Sequence, residues 1–194
     1  MNEDLISNDY RLQNKLCHEK DPGYGSNGAR WAPLVIEKTA ELRNTIIGKC
    51  RLLDYGCGQN LLWRELSTNW PDEFAHIKFT SYDPAIPKYS QMPQGTYDYV
   101  ICTDVLEHVE PEKLNNVIDH VIRFAQYGVF FNMPYRLGNR TLPDGSPCHK
   151  TVENSIWWMR RIHERLNCCR INWRMVLLPP GDVAWDVNIW CESN

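Results

Sequence analysis

The sequence predicts an α/β fold with a mainly parallel, twisted sheet that ends in an antiparallel C-terminal hairpin. Short apolar runs alternate with amphipathic segments along most of the chain, a pattern typical of a parallel sheet covered on both faces. Two β-rich runs, 170–178 and 183–191, are separated by Pro-Pro-Gly-Asp, which is typical of a hairpin. The 194 residues suffice for one domain with a sizeable core.

The first part of the chain is predicted to hold a polar arm, a loop, two helices and two strands. Residues 1–20 are interpreted as a loose helix or arm, and residues 21–30, rich in turn formers, as a loop. The elements that follow are a helix at 32–47 that ends at Gly48, a strand at 50–55, a helix at 60–69 and a strand at 77–82.

The second part continues the alternation of strands and helices. A strand at 97–102, a helix at 111–126 with Pro111 in its first turn, and a strand at 127–133 follow in that order. An apolar cluster that includes Trp157 and Trp158 has helical spacing, which favours a core position for at least one of the two. The arginines nearby are expected mostly on a solvated face, and they are the one candidate contact for nucleic acid: Arg160, Arg161, Arg165, Arg170 and Arg174.

Composition and charge argue against several classes of protein. A net charge of −3 gives no general attraction to nucleic acid or to anionic membranes, so we expect no membrane partner and leave nucleic acid open only through a local basic patch. The acidic N-terminus does not resemble a signal peptide, and no apolar run approaches the ~20 residues of a membrane span. None of the eight cysteines forms a CxxC pair, so we expect reduced thiols in the cytoplasm rather than a zinc ribbon.

Residues 52–60, LLDYGCGQN, join the first predicted strand to a helix. Gly56 and Gly58 permit positive φ and a close approach of the backbone to a ligand, and the helix offers free N–H groups. Asn60 lies one residue before the offset at which a dinucleotide loop has its third glycine, and asparagine tolerates left-handed backbone better than most residues. The motif by itself is compatible with a cofactor loop or with an ordinary tight turn.

Asp83 ends the second predicted strand and narrows the choice of cofactor. Its carboxylate can accept hydrogen bonds from both hydroxyls of a ribose, which NAD and S-adenosylmethionine both contain. An NAD loop needs a third glycine, whereas this chain has Leu61 at that offset. Because S-adenosylmethionine has no phosphate, and because Asp54 supplies a carboxylate for its ammonium group, the residues favour S-adenosylmethionine.

Three segments in order, LLDYGCGQN, SYDPA and YDYVICTDVLEHVEP, resemble the class I S-adenosylmethionine-dependent methyltransferases. The resemblance extends over most of 50–192 and implies a Rossmann-like fold. Within that family the chain is most similar to a compact bacterial and phage-type group, through YGSNGARWAP at 24–33 and TLPDGSPCHK at 141–150. The resemblance therefore implies an enzyme whose cofactor is S-adenosyl-L-methionine.

The resemblance also implies cofactor contacts residue by residue. Asp54, Gly56 and Gly58 match the motif that lies along the methionine part of the cofactor. Asp83 matches the acid that binds the ribose, and Pro84 would lie beside the adenine. Further contacts are implied for Cys57, Asn60, Thr103, Asp104 and Val105, with Tyr24 and Gly25 covering the cofactor from the N-terminal side.

One segment departs from the family pattern. Only 14 residues, three of them prolines, separate Asp83 from Asp98, where the family usually fits a further helix and strand. We therefore expect a sheet that is shortened at the edge after Asp83, and an adenine site that is open or differently walled.

Two histidines are candidates for a general base. Methyl transfer from a sulfonium needs positioning and exclusion of water, and also a base when the acceptor is a hydroxyl or a protonated amine. His149 lies in a substrate-side insert at 135–153 and titrates near neutral pH, and His108 is the second candidate. Asp144 and Lys150 could orient His149 or bind an acidic group of the acceptor.

Asp104, Glu107 and His108 together look like a set of metal ligands. However, similar strings recur in methyltransferases that use no metal, where they begin a helix beside the cofactor. We therefore expect no metal. Tyr135 and Arg136 follow the fourth strand and could line the acceptor pocket.

We divide the chain into an N-terminal arm with a cofactor-covering loop at 1–31 and a single Rossmann-like methyltransferase domain at 32–194. The predicted function is methyl transfer to oxygen or nitrogen of a small-molecule, nucleotide-type or sugar-type acceptor. One alternative is a non-catalytic module that binds or sequesters S-adenosylmethionine. The other is an NAD-dependent oxidoreductase, against which the missing third glycine argues.

Overall fold

A computed structural model describes residues 5–168, 173–178 and 186–193. In this part of the chain the strands are β1 Cys50–Tyr55, β2 Ile77–Tyr82, β3 Tyr97–Thr103, β4 Ala125–Pro134, β5 Trp173–Leu178 and β6 Asp186–Ser193. They form one sheet in the order β2-β1-β3-β4-β6-β5. Strands β1 to β4 are parallel, and β6 is antiparallel to both β4 and β5. The predicted α/β fold with an antiparallel C-terminal end is confirmed.

The helices alternate with the strands, as the sequence predicts. They are α1 Asn8–Lys20, α2 Ala32–Leu42, α3 Leu61–Asn69, α4 Pro71–Phe74, α5 Leu114–Ile122 and α6 Ser155–Leu166, with 3₁₀ turns at Asn27–Trp31, Pro87–Tyr89 and Leu106–His108. The side chain of Ser7 caps α1 and that of Asn154 caps α6, each by accepting a hydrogen bond from a backbone N–H of the first turn. No helix of the described residues combines the length and the apolar character that crossing a bilayer requires.

Two predicted helices are shorter in the structure. Helix α2 ends at Leu42 rather than at residue 47, because an asparagine and three β-branched residues follow Arg43, and these have low helix propensity. Helix α5 begins at Leu114, since the residues before it form a turn that the N–H of Lys113 closes on the carbonyl of Glu110 at 2.8 Å. The prediction that Pro111 lies in the first turn of this helix is therefore wrong.

Apolar side chains pack on both faces of the sheet. Leu53 of β1 lies in the core that α5 and α6 cover, whereas its neighbour Leu52 lies in the core that α2 and α3 cover. Trp158 is fully buried in the first of these cores, which confirms the core position predicted for one of the two tryptophans. Arg165 of α6 donates to Asp119 of α5 at 2.7 Å, so this arginine joins two helices on that face.

The sheet is short at the edge formed by β2, as the sequence predicts. Between Asp83 and β3 the chain makes only the 3₁₀ turn Pro87–Tyr89, and within the described residues no strand lies beyond β2. Strand β6 lies between β4 and β5, begins at Asp186 and runs antiparallel to β4. The start of β6 therefore lies beside the carboxyl ends of β1 to β4. Three predicted features lie outside the described residues: the start of the strand at 170–178, including Arg170, the hairpin turn at 179–182, and the start of the strand at 183–191.

Candidate active site

A cavity of about 610 Å³ lies where the parallel strands end. Residues at the carboxyl ends of β1 to β4 line it, together with Asp186 at the start of β6. Open α/β sheets usually bind ligands at this place. We call the part formed by 54–58 and Asp83 the cofactor end, and the part formed by His108, Cys148 and His149 the acceptor end.

The glycine loop leaves no space for side chains. Gly56 has a φ of 80° and Gly58 a φ of 50°, both in the left-handed region that favours glycine. A Cβ atom on Gly58 would lie 2.4 Å from the carbonyl oxygen of Gly25, and one on Gly56 would lie 2.2 Å from Cγ2 of Val105. The loop 54–58 is therefore fitted between the 24–25 segment and the end of β3, with its backbone along the cavity.

Asp83 organises the cofactor end. It is buried, its Oδ2 accepts a hydrogen bond from the N–H of Gly58 at 3.1 Å, and its Oδ1 accepts one from the N–H of Ala85 at 2.9 Å. Burial raises the pKa of Asp83, although the nearby His18 and these backbone donors oppose that shift. The residue predicted to bind ribose thus also fixes the shape of the glycine loop.

Asp54 lies at the end of β1 and is 4% exposed. Burial, together with the negative charge of Asp83, raises the pKa of Asp54 to about 7. A positively charged ligand group beside Asp54 would favour its ionised form. Cys57 is also buried at the cavity, and burial raises the pKa of its thiol well above the usual range, so Cys57 is an inert small residue there.

Asn60 is not among the described residues that line the cavity. It adopts left-handed backbone, with a φ of 59°, at the start of α3. Its Oδ1 accepts a hydrogen bond from Ser81 at 2.8 Å, and its Nδ2 donates to the hydroxyl of Tyr89 at 3.3 Å. These contacts join α3 to the end of β2, so the structure gives Asn60 a role in shaping the loop.

The end of β3 carries a charged network. Thr103, Asp104 and Val105, for which the sequence predicts cofactor contacts, line the cavity. The guanidinium of Arg30 contacts Asp186 at 2.8 Å, Asp104 at 3.3 Å and the side-chain oxygen of Asn132 at 3.1 Å. Sequence reasoning missed Arg30 and Asp186, because the network joins the N-terminal segment to the last strand and no local motif marks it.

The N-terminal arm covers the cofactor end. Tyr24 and Gly25 line the cavity, and the hydroxyl of Tyr24 donates to the Oδ1 of Asn14 in α1 at 2.6 Å. The ring of His18 packs edge-on against Tyr24, with centroids 4.8 Å apart. The Nδ1 of His18 is buried with no hydrogen-bond partner among the described residues. Sequence reasoning missed His18 as a cavity residue, and only its position in the arm could have suggested it.

Two imidazoles meet at the acceptor end. The rings of His108 and His149 are perpendicular, with centroids 4.8 Å apart. The Nδ1 of His108 lies 3.0 Å from the carbonyl oxygen of Cys148, and the Nδ1 of His149 lies 3.0 Å from that of Arg136. Because a carbonyl oxygen can only accept, each Nδ1 carries the proton, and each Nε2 keeps a free lone pair.

Both imidazoles are neutral at physiological pH. Burial, aided by the neighbouring His149, lowers the pKa of His108 to about 3. Burial also lowers the pKa of His149, although the carbonyl of Arg136 opposes that shift. The two predicted bases are thus brought together at the cavity, each in its unprotonated form.

The predicted partners of His149 are directed elsewhere. Asp144 accepts hydrogen bonds from the N–H of Ser146 at 2.8 Å and from Gln13 at 3.0 Å, and Lys150 donates to the hydroxyl of Ser146. The backbone of Arg136 therefore orients His149, and the proposal that Asp144 or Lys150 does so is wrong. The hydroxyl of Tyr10 donates to the carbonyl of Cys148 at 2.8 Å, which fixes the insert against α1.

Glu107 is fully buried at the acceptor end. Neither of its carboxylate oxygens has a hydrogen-bond partner among the described residues, and Oε1 lies 3.9 Å from Nε2 of His108. Burial raises the pKa of Glu107, and the negative charges of Asp104 and Asp186 raise it further. An acid without a partner in such a position is costly unless a ligand or proton compensates its charge.

The parallel sheet with its antiparallel end, the glycine loop and the acid after β2 define a Rossmann-like methyltransferase fold. The family model described as "Methyltransferase domain" matches residues 25–167. The chain therefore belongs to the methyltransferase-domain family, whose cofactor is S-adenosylmethionine. None of the curated proteins matches the sequence of the chain.

Solved structures share the fold at low sequence identity. The plantazolicin methyltransferase BpumL superposes with a TM-score of 0.59 at 8% identity, covering 96% of this chain and 97% of BpumL. DhpI, in complex with S-adenosylhomocysteine, gives a TM-score of 0.57 at 15% identity, and the match covers 95% of this chain and 97% of DhpI. A Nostoc punctiforme protein described as an O-methyltransferase gives 0.56 at 11% identity and covers 84% of this chain. The chain spans 56% of the length of that protein.

Proposed function

We propose that this chain transfers the methyl group of S-adenosylmethionine to oxygen or nitrogen of a small-molecule, nucleotide-type or sugar-type acceptor. One observation carries the proposal: a single cavity joins a tight glycine loop and a buried acid to two imidazoles whose Nε2 atoms are free. The glycine loop and the buried acid suit a nucleoside cofactor without phosphate. The two imidazoles suit an acceptor that must lose a proton.

The cofactor would lie along the glycine loop. Asp83 would accept hydrogen bonds from the ribose hydroxyls, and Asp54 would face the ammonium group of the methionine part. Tyr24 and Gly25 of the arm at 1–31 would cover it. Pro84 also lines a second cavity of about 290 Å³ beside Arg11 of α1, and we propose that α1 forms the adenine wall that the shortened edge lacks.

Methyl transfer would proceed as an in-line displacement. A lone pair of the acceptor forms the new bond to the methyl carbon while the carbon–sulfur bond breaks, leaving S-adenosylhomocysteine. The proton of the acceptor passes to the Nε2 of His149, with His108 beside it as the second proton acceptor. The insert at 135–153 would bind the acceptor, and Arg136 in that insert lines the cavity.

The net charge and the free thiols support the kind of acceptor and the cellular compartment that we propose. The net charge of −3 fits a small acceptor better than nucleic acid. Seven cysteines of the described residues are free thiols, which supports a reducing compartment such as the cytoplasm.

Binding and turnover can be tested separately. Saturation with S-adenosylhomocysteine at 100 times Kd should add about 2.7 kcal/mol to the free energy of unfolding. For a chain of this size that corresponds to a rise in Tm of roughly 5–10 °C. Turnover is then followed as S-adenosylhomocysteine produced from S-adenosylmethionine with pools of hydroxyl and amine acceptors.

The outcomes distinguish the proposal from its alternatives. Binding with acceptor-dependent turnover supports the methyltransferase, whereas binding without turnover on any pool supports a module that only holds the cofactor. Absence of binding by both calorimetry and thermal shift would refute the proposal. Competition by NAD for the same site would favour an oxidoreductase.

A further inference from the structure

We infer that His108, Cys148 and His149 form a binding site for a zinc-class divalent ion at the acceptor end. This set differs from the one that the sequence suggested, Asp104, Glu107 and His108, because Cys148 and His149 lie about 40 residues from His108 along the chain. The folded insert brings them together. The role of such a site in methyl transfer rests on the proposed function, whereas the binding itself does not.

The geometry of the donor atoms suits a metal ion. One ligand atom from each of the three residues lies within 4.8 Å of the other two. Ligands of tetrahedral zinc lie about 2.0–2.3 Å from the ion, and hence roughly 3.5 Å from one another. The three side chains therefore need to close by about 1 Å around an ion, which rotation of side chains at the cavity surface can supply.

The hydrogen bonds at the two imidazoles already suit ligation. Each Nδ1 donates to a backbone carbonyl, that of Cys148 for His108 and that of Arg136 for His149. Metal-binding histidines usually donate their second ring nitrogen in this way, which fixes the ring and leaves the other nitrogen to bind the ion. Two imidazoles and a thiolate are the donor set that zinc and cobalt prefer over magnesium or calcium.

Glu107 supplies an independent observation. Its carboxylate is fully buried without a hydrogen-bond partner among the described residues, and Oε1 lies 3.9 Å from the Nε2 of His108. A cation bound at that Nε2 would compensate the charge of Glu107, which would contact the ion through a water molecule. This arrangement explains a buried carboxylate that the rest of the cavity leaves unpaired.

The charge around the cavity also favours a cation. Five carboxylates line it: Asp54, Asp83, Asp104, Glu107 and Asp186. Of the arginines there, Arg30 pairs with Asp104 and Asp186, Arg140 pairs with Asp21, and Arg136 also lines the cavity. The carboxylates outnumber these three arginines, so a divalent ion at the imidazoles would improve the balance of charge when the carboxylates are ionised.

A bound ion would refine the proposed role of the histidines. Three protein ligands leave a coordination position open to the acceptor oxygen or nitrogen, as in catalytic rather than structural zinc sites. The ion would orient the acceptor and lower the pKa of a bound hydroxyl. In the loaded protein the Nε2 atoms would hold the ion, and the proton of the acceptor would pass to a water molecule in the cavity. The role of the imidazoles as free bases belongs to the metal-free protein.

Metal binding can be measured without cofactor or acceptor. The full chain, with the adjacent thiols Cys168 and Cys169 replaced by serine so that they add no binding, is titrated with Zn²⁺ against a chromophoric chelator. Co²⁺ is then used for its visible absorption, in which a thiolate ligand adds a charge-transfer band. We expect one ion per chain with tetrahedral Co²⁺ absorption.

The variants test the ligands one by one. His108→Ala, His149→Ala and Cys148→Ser should each weaken Zn²⁺ binding by more than about tenfold, and Cys148→Ser should also remove the charge-transfer band. Two control variants should change neither the affinity for Zn²⁺ nor the charge-transfer band: His163→Ala, at an exposed residue, and Cys50→Ser, at a buried residue in the core that α2 and α3 cover. Circular dichroism and cooperative thermal unfolding of each variant verify that it is folded.

Each outcome is decisive for one of the two proposals. The metal site is overturned if the wild type binds no stoichiometric Zn²⁺, or if all three ligand variants bind Zn²⁺ with the affinity of the wild type, whatever the cofactor result. Stoichiometric zinc in a protein that binds no S-adenosylhomocysteine supports the metal site and overturns the proposed methyl transfer.

Discussion

The cofactor end and the acceptor end of the cavity differ in what holds them together. At the cofactor end, the loop backbone takes part in each contact: the N–H of Gly58 donates to the carboxylate of Asp83, and Gly58 lies against the carbonyl of Gly25. At the acceptor end, side chains are fixed by carbonyls far away in sequence. The carbonyl of Cys148 accepts from Tyr10 and from His108, which lie 138 and 40 residues away.

This difference separates two tasks. A cofactor that many proteins share can be bound by the loop geometry that the fold supplies, so its contacts depend on few side chains. An acceptor differs from protein to protein, so its pocket is built from an insert that the fold does not dictate. Changes at the cofactor end should therefore alter binding of S-adenosylhomocysteine, and changes at the acceptor end should alter turnover alone.

The largest effect is expected from Gly58→Ala. A Cβ atom there would lie 2.4 Å from the Gly25 oxygen, and the φ of 50° adds strain of about 1–2 kcal/mol. Because the obstacle is backbone, the loop must move. We expect affinity for S-adenosylhomocysteine, measured by calorimetry, to fall by more than about 100-fold, or roughly 2.7 kcal/mol.

Gly48→Ala is the matched control. Gly48 also has positive φ, at 96°, but no described atom lies within 4 Å of the position its Cβ would take. This variant should lose about 1 kcal/mol of stability from strain and bind S-adenosylhomocysteine as the wild type does. Equal affinity in both variants would show that the loop does not contact the cofactor.

At the acceptor end, His149→Ala should act on turnover alone. Loss of a general base typically lowers kcat by about 100-fold or more, and the same side chain as a metal ligand would be equally needed. Affinity for S-adenosylhomocysteine should be unchanged, since His149 contacts only the acceptor end. The exposed His163→Ala serves as control. Undiminished kcat in His149→Ala would contradict its role.

Asp83→Ala should act on affinity alone. The variant loses the acceptor of two backbone N–H groups and the ribose contacts, each hydrogen bond to a charged group contributing about 1.5–3 kcal/mol. We expect Kd for S-adenosylhomocysteine to rise by about 10- to 100-fold, with kcat at saturation little changed.

Asp98→Ala is the control for this variant. Asp98 is also buried and accepts the N–H of Arg51 at 2.7 Å, but it lies at the opposite end of β3. Its loss should lower stability and leave the affinity intact. The same rise in Kd for both variants would mean that Asp83 acts through stability and not at the ribose.

The comparison also explains what could be predicted from sequence. The alternation of strands and helices and the shortened edge could be predicted from apolar runs and from the short, proline-rich segment after Asp83, because these are local features, whereas the order of the strands in the sheet was not predicted. The glycine loop was predictable for the same reason, since left-handed φ leaves a residue signature at Gly56 and Gly58. The ends of helices were less predictable, since α2 ends at Leu42, where weak helix propensity outweighs a continuing apolar pattern.

The acceptor end could be predicted from the sequence only in part. His108 and His149 stood out as histidines at a strand exit and in an insert, yet nothing local showed that their rings meet. Cys148, His18 and Arg30 act through long-range contacts, and no spacing in the sequence records those. Asn60 differs from these residues: its left-handed conformation was foreseen, whereas the hydrogen bonds of its side chain with Ser81 and Tyr89 were not, and its contact with the cofactor stays a prediction.

The smallest effect is expected from the pH dependence of cofactor binding, which sharpens the assignment of Asp54. Burial and the charge of Asp83 raise the pKa of Asp54 to about 7, so below this pH Asp54 is neutral and above it carries a charge. The ammonium of S-adenosylhomocysteine prefers the charged form. Between pH of about 5.5 and about 7.5 its affinity should therefore rise, by no more than about tenfold for one charge-assisted contact. In Asp54→Asn the calorimetric profile should be flat, and a rise that persists there would assign the titration to another group, such as His18.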